Sequence, residues 1–107
     1  MPISADTIRG WVDLMILSIL KDTDSYGYAI SQAITEATGD VYSLKETTLY
    51  TALKRLESQS FVESYRQEGP NGRSRTYYRI SPAGRDYYAA RSTEWRITRQ
   101  TLDNFTL

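Results

Sequence analysis

The segment from residue 44 to residue 80 places the strongest constraint on how this chain of 107 residues folds. The run Leu44–Leu56 repeats apolar residues at helical spacing on one side and carries hydroxyl and basic side chains on the other. Two strand-like segments, Phe61–Gln67 and Arg75–Ile80, follow directly. The loop between them, Glu68–Ser74, contains Gly, Pro and Asn, which are typical of a turn. The pattern therefore predicts an amphipathic helix followed by a β-hairpin with a basic tip.

Two further helices are predicted before this unit. The first covers residues 6–21 and is apolar on more than one face, which indicates burial on several sides. The second runs from Tyr26 to about Thr38, because its Ala and Ile residues recur at helical spacing. We expect Ser25 to be its N-cap and Gly39 to end it in a left-handed conformation.

The run Ser43-Leu44-Lys45-Glu46 matches a capping box and predicts that the third helix starts there. Ser81 and Pro82 predict the start of a last helix, which extends to about Asn104. A helix shaped to enter a DNA groove, followed by a basic hairpin, is the layout of a winged helix-turn-helix. The predicted fold is mainly α with a small β-hairpin. It comprises a winged helix-turn-helix over residues 1–80 and a long C-terminal dimerisation helix over residues 81–107, in one compact unit. The inward face of the third helix is predicted to be Leu49, Ala52, Leu53 and Leu56.

The residue types that are missing restrict the chemistry of the chain. With no Cys and no His, it lacks thiol nucleophiles, cysteine metal sites and the usual general base and zinc ligand. It also lacks a glycine-rich phosphate loop and a recognisable pair of catalytic carboxylates, so we expect neither an enzyme nor a cofactor or metal. The first six residues have no basic n-region, and the apolar run near 11–20 is too short to span a bilayer. We predict a soluble cytoplasmic protein without a membrane partner.

Charge is distributed unevenly, although 13 basic and 13 acidic residues give the whole chain a net charge of zero. Residues 45–79 hold seven basic and four acidic side chains, a net charge of +3, whereas residues 1–44 carry −4. Attraction to phosphate acts locally at physiological ionic strength. The positive charge therefore gathers on the helix and hairpin that are predicted to face nucleic acid.

Four blocks, Ile16–Leu20, Ser25–Ile30, Thr48–Glu57 and Gly72–Gly84, occur in an order and spacing that resemble the PadR family of bacterial transcriptional regulators. The single helix after the hairpin resembles the short-form branch of that family. This resemblance implies a homodimeric winged-helix repressor that binds a palindromic operator in double-stranded DNA and is released by a small, often aromatic, ligand. Ser60 departs from the family pattern, which usually has glycine at the end of the third helix, and serine is less favourable there if the backbone is left-handed.

Candidate DNA contacts lie on the polar face of the third helix. Lys45, Thr48 and Thr51 are near its start, where base edges and phosphates are closest to a reading helix. Further along the helix, the candidate phosphate contacts are Tyr50, Lys54 and Arg55. The alternative interpretation is a solvated helix face that happens to carry threonine and basic residues.

The hairpin tip supplies a second group of candidates. Asn71, Arg73 and Arg75 are expected to reach phosphates or the minor groove. A charged hairpin that discourages edge-to-edge pairing is the alternative. Ser25 is a further candidate, because free amides at the start of the second helix are able to hold a phosphate, although simple capping is favoured for this residue.

The last helix is expected to form the dimer interface. Its stripe alternates steps of three and four residues and needs a partner to cover it, most simply in a twofold dimer against the partner's first and last helices. Trp11, in the first helix, is interpreted as core or interface packing. The predicted stripe consists of Tyr88, Arg91, Trp95, Thr98, Leu102 and Phe105.

Two residues are candidates for binding a small ligand. Trp95 lies on the presumed interface, where two symmetry-related indoles would stack a flat aromatic molecule between them. It would equally serve as interface packing alone. Asp13 is a lone acid in the apolar first helix and would attract a cationic ligand, or else lie on the outer, wet face.

A different class of function also fits the predicted fold. A non-enzymatic adaptor would use the winged helix and the long helix to bind another protein, and its basic face would then be incidental. The two functions differ in one measurable property, because only a DNA-binding regulator has salt-dependent affinity for a duplex.

Overall fold

The computed structural model describes residues 8–106, which form four α-helices and a three-stranded antiparallel sheet. The predicted mainly α fold with a small β-hairpin is confirmed. Asp6 and Thr7 of the predicted first helix lie outside the described residues, as does the N-terminal segment considered for a signal peptide. The helices are α1 (Val12–Leu20, after a 3₁₀ turn at Arg9–Trp11), α2 (Gly27–Ala37), α3 (Glu46–Ser58) and α4 (Pro82–Asp103). The strands are β1 (Ser25–Tyr26), β2 (Val62–Glu68) and β3 (Ser74–Ile80), with a 3₁₀ turn at Pro70–Gly72.

One hydrophobic core is shared by α1, α2, α3 and the base of the hairpin. Leu49, Ala52, Leu53 and Leu56 are all buried, which confirms the predicted inward face of α3. They pack in one cluster with apolar residues of α1, α2, β2 and β3, among them Ile16, Leu17, Leu20, Ile30, Ile34, Val62 and Ile80. Because this face of α3 is used entirely for packing, the opposite face is left to solvent.

Strand β1 was not predicted, and it corrects the role given to Ser25. The strand order is β1-β3-β2, and Ser25 and Tyr26 pair with Tyr78 and Tyr77 of β3. The predicted N-cap is therefore wrong, since Tyr26 occupies the N-cap position of α2 and no side chain caps it. The physical reason is that the outer edge of β3 offers unpaired backbone groups, and the two residues before α2 pair with them.

The predicted capping box at residues 43–46 is also wrong. Helix α3 begins at Glu46, and Lys45 is its N-cap with an extended backbone and no side-chain cap. Leu44 is buried in the core cluster, so the segment before the helix is held by that apolar contact. Because of this contact, α3 begins later in the chain than a capping box at Ser43 predicts.

Ser60 adopts the left-handed conformation for which the resemblance leads us to expect glycine, with φ of +64°. The amide of Ser60 donates to the carbonyl of Glu57, and the amide of Phe61 donates to that of Leu56, both at 2.9 Å. These two bonds form a Schellman motif, which satisfies carbonyls at the C-terminal end of α3. The chain thus turns from α3 into β2 within three residues.

Hydrogen bonds and close backbone packing hold the connection between β3 and α4. As predicted, Ser81 caps α4, and its Oγ accepts a hydrogen bond from the Gly84 amide at 3.0 Å. The same hydroxyl donates to the Ser60 carbonyl at 2.6 Å. Gly84 is buried, and a methyl group there would collide with the backbone of Phe61. The predicted helix over 82–104 is confirmed to within one residue, and within residues 8–106 no helix combines the length and apolar character needed to cross a bilayer.

Candidate nucleic-acid interface

The reading face of α3 is exposed in the described structure. Lys45, Thr48, Thr51 and Lys54 are all exposed, while the leucines between them are buried. The structure therefore brings four of the predicted contacts together on one solvent-facing side of one helix. That geometry permits direct approach of the helix to a DNA groove.

Tyr50 connects this face to the start of α2. Its side chain is 43% exposed, yet its phenol ring rests against the backbone of Gly27, where a methyl group would collide with the hydroxyl. With the Tyr50 side chain in this position, residue 27 has room only for glycine. The hydroxyl of Tyr50 consequently lies beside the first amides of α2, which are the groups that bind anions at helix N-termini.

The hairpin tip carries one exposed arginine and one anchored arginine. Arg73 is exposed next to the turn, in which Asn71 and Gly72 have φ of +67° and +71°. Arg75 is half-buried, with its guanidinium carbon 4.4 Å from the centroid of the Tyr26 ring. A cation held over an aromatic face is attracted by the ring quadrupole. Arg75 thus lies over the Tyr26 ring at the start of α2 and also beside Gly69, where the hairpin turn begins.

Side-chain hydrogen bonds stiffen the hairpin and tie it to the body of the protein. Arg66 of β2 donates to the hydroxyls of Ser74 and Thr76 on β3, at 3.1 and 2.8 Å. Tyr65 donates to Asp24, in the α1–α2 connection, at 2.6 Å. That hydrogen bond is the main reason why the pKa of Tyr65 is raised above its ordinary value. The wing is therefore held in a fixed position relative to α2.

A groove of about 470 Å³ lies where the wing, α3 and the start of α2 meet. Burial, followed by the nearby Glu57 and Tyr50, raises the pKa of the Tyr78 hydroxyl. This hydroxyl remains protonated at neutral pH and is available as a donor to an oxyanion. The groove is lined by Tyr26, Gly27, Tyr28, Tyr50, Arg75, Thr76 and Tyr78.

Sequence reasoning assigned no DNA-binding role to Tyr28, Thr76 or Tyr78. They come together only through the pairing of β1 with β3, which joins residues about 50 positions apart. One feature of the sequence could have indicated this groove, namely the glycine between two tyrosines at residues 26–28. A glycine at the start of a helix indicates that another group approaches the backbone closely. Ser25 is buried beneath this groove, which argues against the predicted phosphate contact through its side chain.

Arg55 and Asp13 contact each other, although the sequence assigned them to different sites. Arg55 Nη2 forms an ion pair with Asp13 Oδ1, and Arg55 Nε donates to Asp13 Oδ2 at 3.4 Å. The Asp13 side chain is 12% exposed, so the alternative of a wet outer face is wrong. The carboxylate is neutralised by arginine, which leaves less charge to attract a cationic ligand than the sequence suggested.

The two tryptophans form one cluster within the chain. The ring centroids of Trp11 and Trp95 are 5.2 Å apart in an edge-to-face arrangement, with an interplanar angle of 69°. Arg91 places its guanidinium 4.2 Å from the Trp11 centroid, donates to the carbonyl of Gly10 and pairs with Glu94 at 2.9 Å. The Arg91 Nε is buried, and no residue in the described range 8–106 forms a hydrogen bond with it. The predicted interface residues Trp11, Arg91 and Trp95 therefore make substantial contacts inside one chain.

An apolar groove of about 410 Å³ borders this cluster, between α1, the end of α2 and the middle of α4. Leu14, Met15, Ile19 and Tyr88 contribute to its walls together with Trp95. Further along α4 the apolar residues are exposed, with Leu102 at 55% and Phe105 at 81%, whereas Thr98 is half-buried. The end of α4 and the residues just after it thus present apolar side chains that are left exposed by the rest of residues 8–106.

The part of the chain that the structure describes offers no evident set of metal ligands. No group of three or more His, Cys, Asp or Glu residues there is arranged to hold an ion. The Asp13 carboxylate is already paired with Arg55.

A helix-turn-helix core with an antiparallel wing and an exposed basic reading helix defines the class of winged-helix DNA-binding proteins. The profile described as "Transcriptional regulator PadR-like family" matches residues 16–90, and the chain belongs to that family of transcriptional regulators. The resemblance seen in the sequence is confirmed.

Solved structures agree with this assignment. A transcriptional regulator from Clostridium thermocellum is 47% identical, with a TM-score of 0.91, and the match covers 98% of this chain and 99% of that one. A PadR family transcription regulator from Clostridium difficile is 36% identical, with a TM-score of 0.78, over 89% of this chain and 97% of that one. A Lysinibacillus sphaericus protein named only as uncharacterized is 37% identical over 103 residues, which is 96% of this chain and 94% of its own.

Proposed function

We propose that the protein is a homodimeric repressor that reads a palindromic operator, with α3 in the major groove and the β2–β3 hairpin on the adjacent phosphates or minor groove. The exposed hydroxyl and basic face of α3 carries this proposal, because the opposite face is fully used by the core. Lys45, Thr48 and Thr51 contact base edges and nearby phosphates, and Lys54 and Tyr50 contact the backbone.

The groove at the start of α2 provides the position for one further phosphate. Arg75 supplies a positive charge, and the hydroxyls of Tyr50 and Tyr78 supply donors beside the first amides of the helix. The wing then contacts the next phosphate through Arg73. Contacts of this kind fix the orientation of the reading helix without specifying sequence.

Dimerisation is supported by the exposed apolar residues of α4. Leu102 and Phe105 extend beyond the part of α4 that packs on α1, and a twofold partner would cover them. The apolar groove bordered by Leu14, Met15 and Tyr88 lies next to the same helix. Operator palindromy would follow from this symmetry.

One experiment tests DNA binding and twofold symmetry together. Duplexes are selected from a random pool with the purified chain, and the oligomeric mass is measured on the same sample. We expect enrichment of a palindrome whose half-sites lie about 34 Å apart, bound with a Kd on the order of 10⁻⁸ M and with strong salt dependence. A monomeric chain, or a pool without enrichment, would reject the proposal. Absence of salt-dependent affinity for any duplex would favour the adaptor function.

The tryptophan cluster supports a small aromatic ligand as the releasing signal. Trp95 lines an apolar groove and is partly exposed, so a flat molecule entering the groove would stack on its indole. The alternative remains that Trp95 fills the dimer interface.

Titration with a planar phenol and with a planar cationic dye of similar size separates these two roles of Trp95. We expect the phenol to quench tryptophan emission, and the Trp95→Phe variant to lose most of that quenching. Trp11 is not an independent control, because its ring contacts Trp95 and reports on the same place. If neither probe quenches the wild type, Trp95 serves packing alone.

A further inference from the structure

The ion pair between Asp13 and Arg55 connects the reading helix to the tryptophan cluster. Arg55 lies on α3 with its side chain 46% exposed, and Asp13 lies in the first turn of α1. Among residues 8–106 it is the one side-chain hydrogen-bonded pair that joins α1 to α3. A polar contact of this kind has two discrete states, formed and broken, as have the interface ion pairs that are exchanged in switching transitions.

The other end of this connection is the short segment from Gly10 to Asp13. Trp11, two residues before Asp13, contacts both the Trp95 ring and the guanidinium of Arg91, which also donates to the Gly10 carbonyl. One turn of backbone therefore carries both the carboxylate that holds Arg55 and the indole that contacts Trp95. A displacement of this turn of backbone would move both side chains together.

A DNA phosphate offers Arg55 the same type of partner that Asp13 offers, an oxyanion that accepts charge-assisted hydrogen bonds. Two nitrogens of the guanidinium, Nε and Nη2, are engaged by the Asp13 carboxylate. Arg55 cannot keep both of these bonds and also direct the same nitrogens to a phosphate. Asp13 and a DNA phosphate therefore compete for this bidentate edge of the guanidinium, whose Nη1 lies outside the ion pair.

We infer that Arg55 exchanges between Asp13 and a DNA phosphate, and that this exchange couples DNA binding to the Trp11–Trp95 contact. The inference rests on the proposed DNA-binding function. When Arg55 moves to phosphate, Asp13 is released and the 10–13 segment shifts, which alters the packing of Trp11. By thermodynamic linkage, any change at the tryptophan cluster that strengthens the Asp13–Arg55 pair weakens DNA binding by the same factor. Asp13 is thus a positioning residue that acts through Arg55.

The first test measures affinity for the palindromic duplex recovered by selection. Asp13→Asn removes the competitor, so we expect binding about fivefold tighter than wild type, the upper range for a partly exposed pair. In an Arg55→Gln background, Asp13→Asn should change the affinity no more than Glu57→Gln does, because its specific effect passes through Arg55. A merely structural role for Asp13 predicts the opposite sign, since loss of a stabilising pair weakens binding. Asp13→Ala serves as a second neutral replacement, and circular dichroism checks that each variant is folded.

Glu57→Gln is the matched control for long-range charge. Glu57 is also an acid, lies on α3 and accepts a hydrogen bond from Ser64, a contact that glutamine retains. Replacing Glu57 removes one negative charge near the DNA. The resulting change in affinity should be the same whether residue 55 is arginine or glutamine. Asp13→Asn tightening binding equally in the two backgrounds would overturn the inference.

The second test uses intrinsic fluorescence, because the chain has only two tryptophans and both are in this cluster. We expect saturating unlabelled duplex to change the emission of the wild type, and to change that of Asp13→Asn much less. Wild-type emission that DNA leaves unchanged, or an equal response in Asp13→Asn, overturns the coupling while the DNA-binding function stands. A wild type that binds no duplex rejects the proposed function and the coupling with it.

Discussion

Replacing Arg73 and Arg75 together with alanine is expected to weaken operator binding about a hundredfold near 0.15 M salt, because a dimer then loses four phosphate contacts. The loss should be nearly uniform across duplex sequences, since contacts to phosphate carry no base information. The slope of log affinity against log salt should fall in magnitude by about 3.6, which is about 0.9 for each of the four lost contacts. Fluorescence anisotropy over a salt series measures both quantities.

Arg79→Ala is the matched control for the wing. Arg79 lies on the same strand, near its base, where it pairs with Glu63 at 3.4 Å and stacks over Tyr65. It should change operator affinity by much less than the double variant. Arg75→Ala also removes a guanidinium from the face of Tyr26, so the fold of the double variant is checked by circular dichroism. Unchanged affinity in a folded double variant would remove the wing from the proposed mechanism.

Replacing Leu102 and Phe105 together with glutamate is expected to convert the dimer to a monomer. The two side chains are exposed in the single chain, so the substitution costs the monomer little, whereas two charges per subunit would be buried at a twofold interface. A monomer reaches only one half-site, and loss of the second, linked contact should reduce operator affinity by a factor of about 100 or more. Sedimentation equilibrium and anisotropy are the two measurements.

Gln100→Glu provides the control for added charge on α4. Gln100 is exposed on the same helix, away from the stripe that contains Leu102 and Phe105. We expect this variant to remain dimeric and to bind the operator as the wild type does. A Leu102→Glu, Phe105→Glu variant that stays dimeric would show that subunits associate through another surface.

The elements that the sequence predicted well are those with strong local signals. The alternating faces of α3 place Leu49 and Leu53 inside, and Gly, Pro and Asn mark the turn between the hairpin strands. The serine and proline at residues 81 and 82 predict the start of α4, and the observed cap is the expected one. In each case the information lies within a few residues of the chain.

The features that the sequence did not predict depend on contacts between distant residues. Strand β1 has two residues, too short for any periodic pattern, and it exists because β3 offers an edge. Asp13 and Arg55 are 42 residues apart, so neither is marked as the partner of the other. The Arg75 guanidinium, which the sequence placed at the hairpin tip, lies beside Gly69 of the turn and also over the Tyr26 ring, a contact that the sequence did not predict. The candidate phosphate groove is the product of these long-range pairings.

The hydrogen bonds of Ser81 and the close packing of Gly84 set the direction in which α4 leaves β3. The helix has 22 residues and is ~33 Å long, so a tilt of roughly 5° at its base displaces its far end by roughly 3 Å. A second subunit attached at that far end would be carried along, together with its own reading helix. In the proposed dimer, the spacing between the two reading helices would therefore depend on the fit of one serine hydroxyl and one missing methyl group at the start of α4.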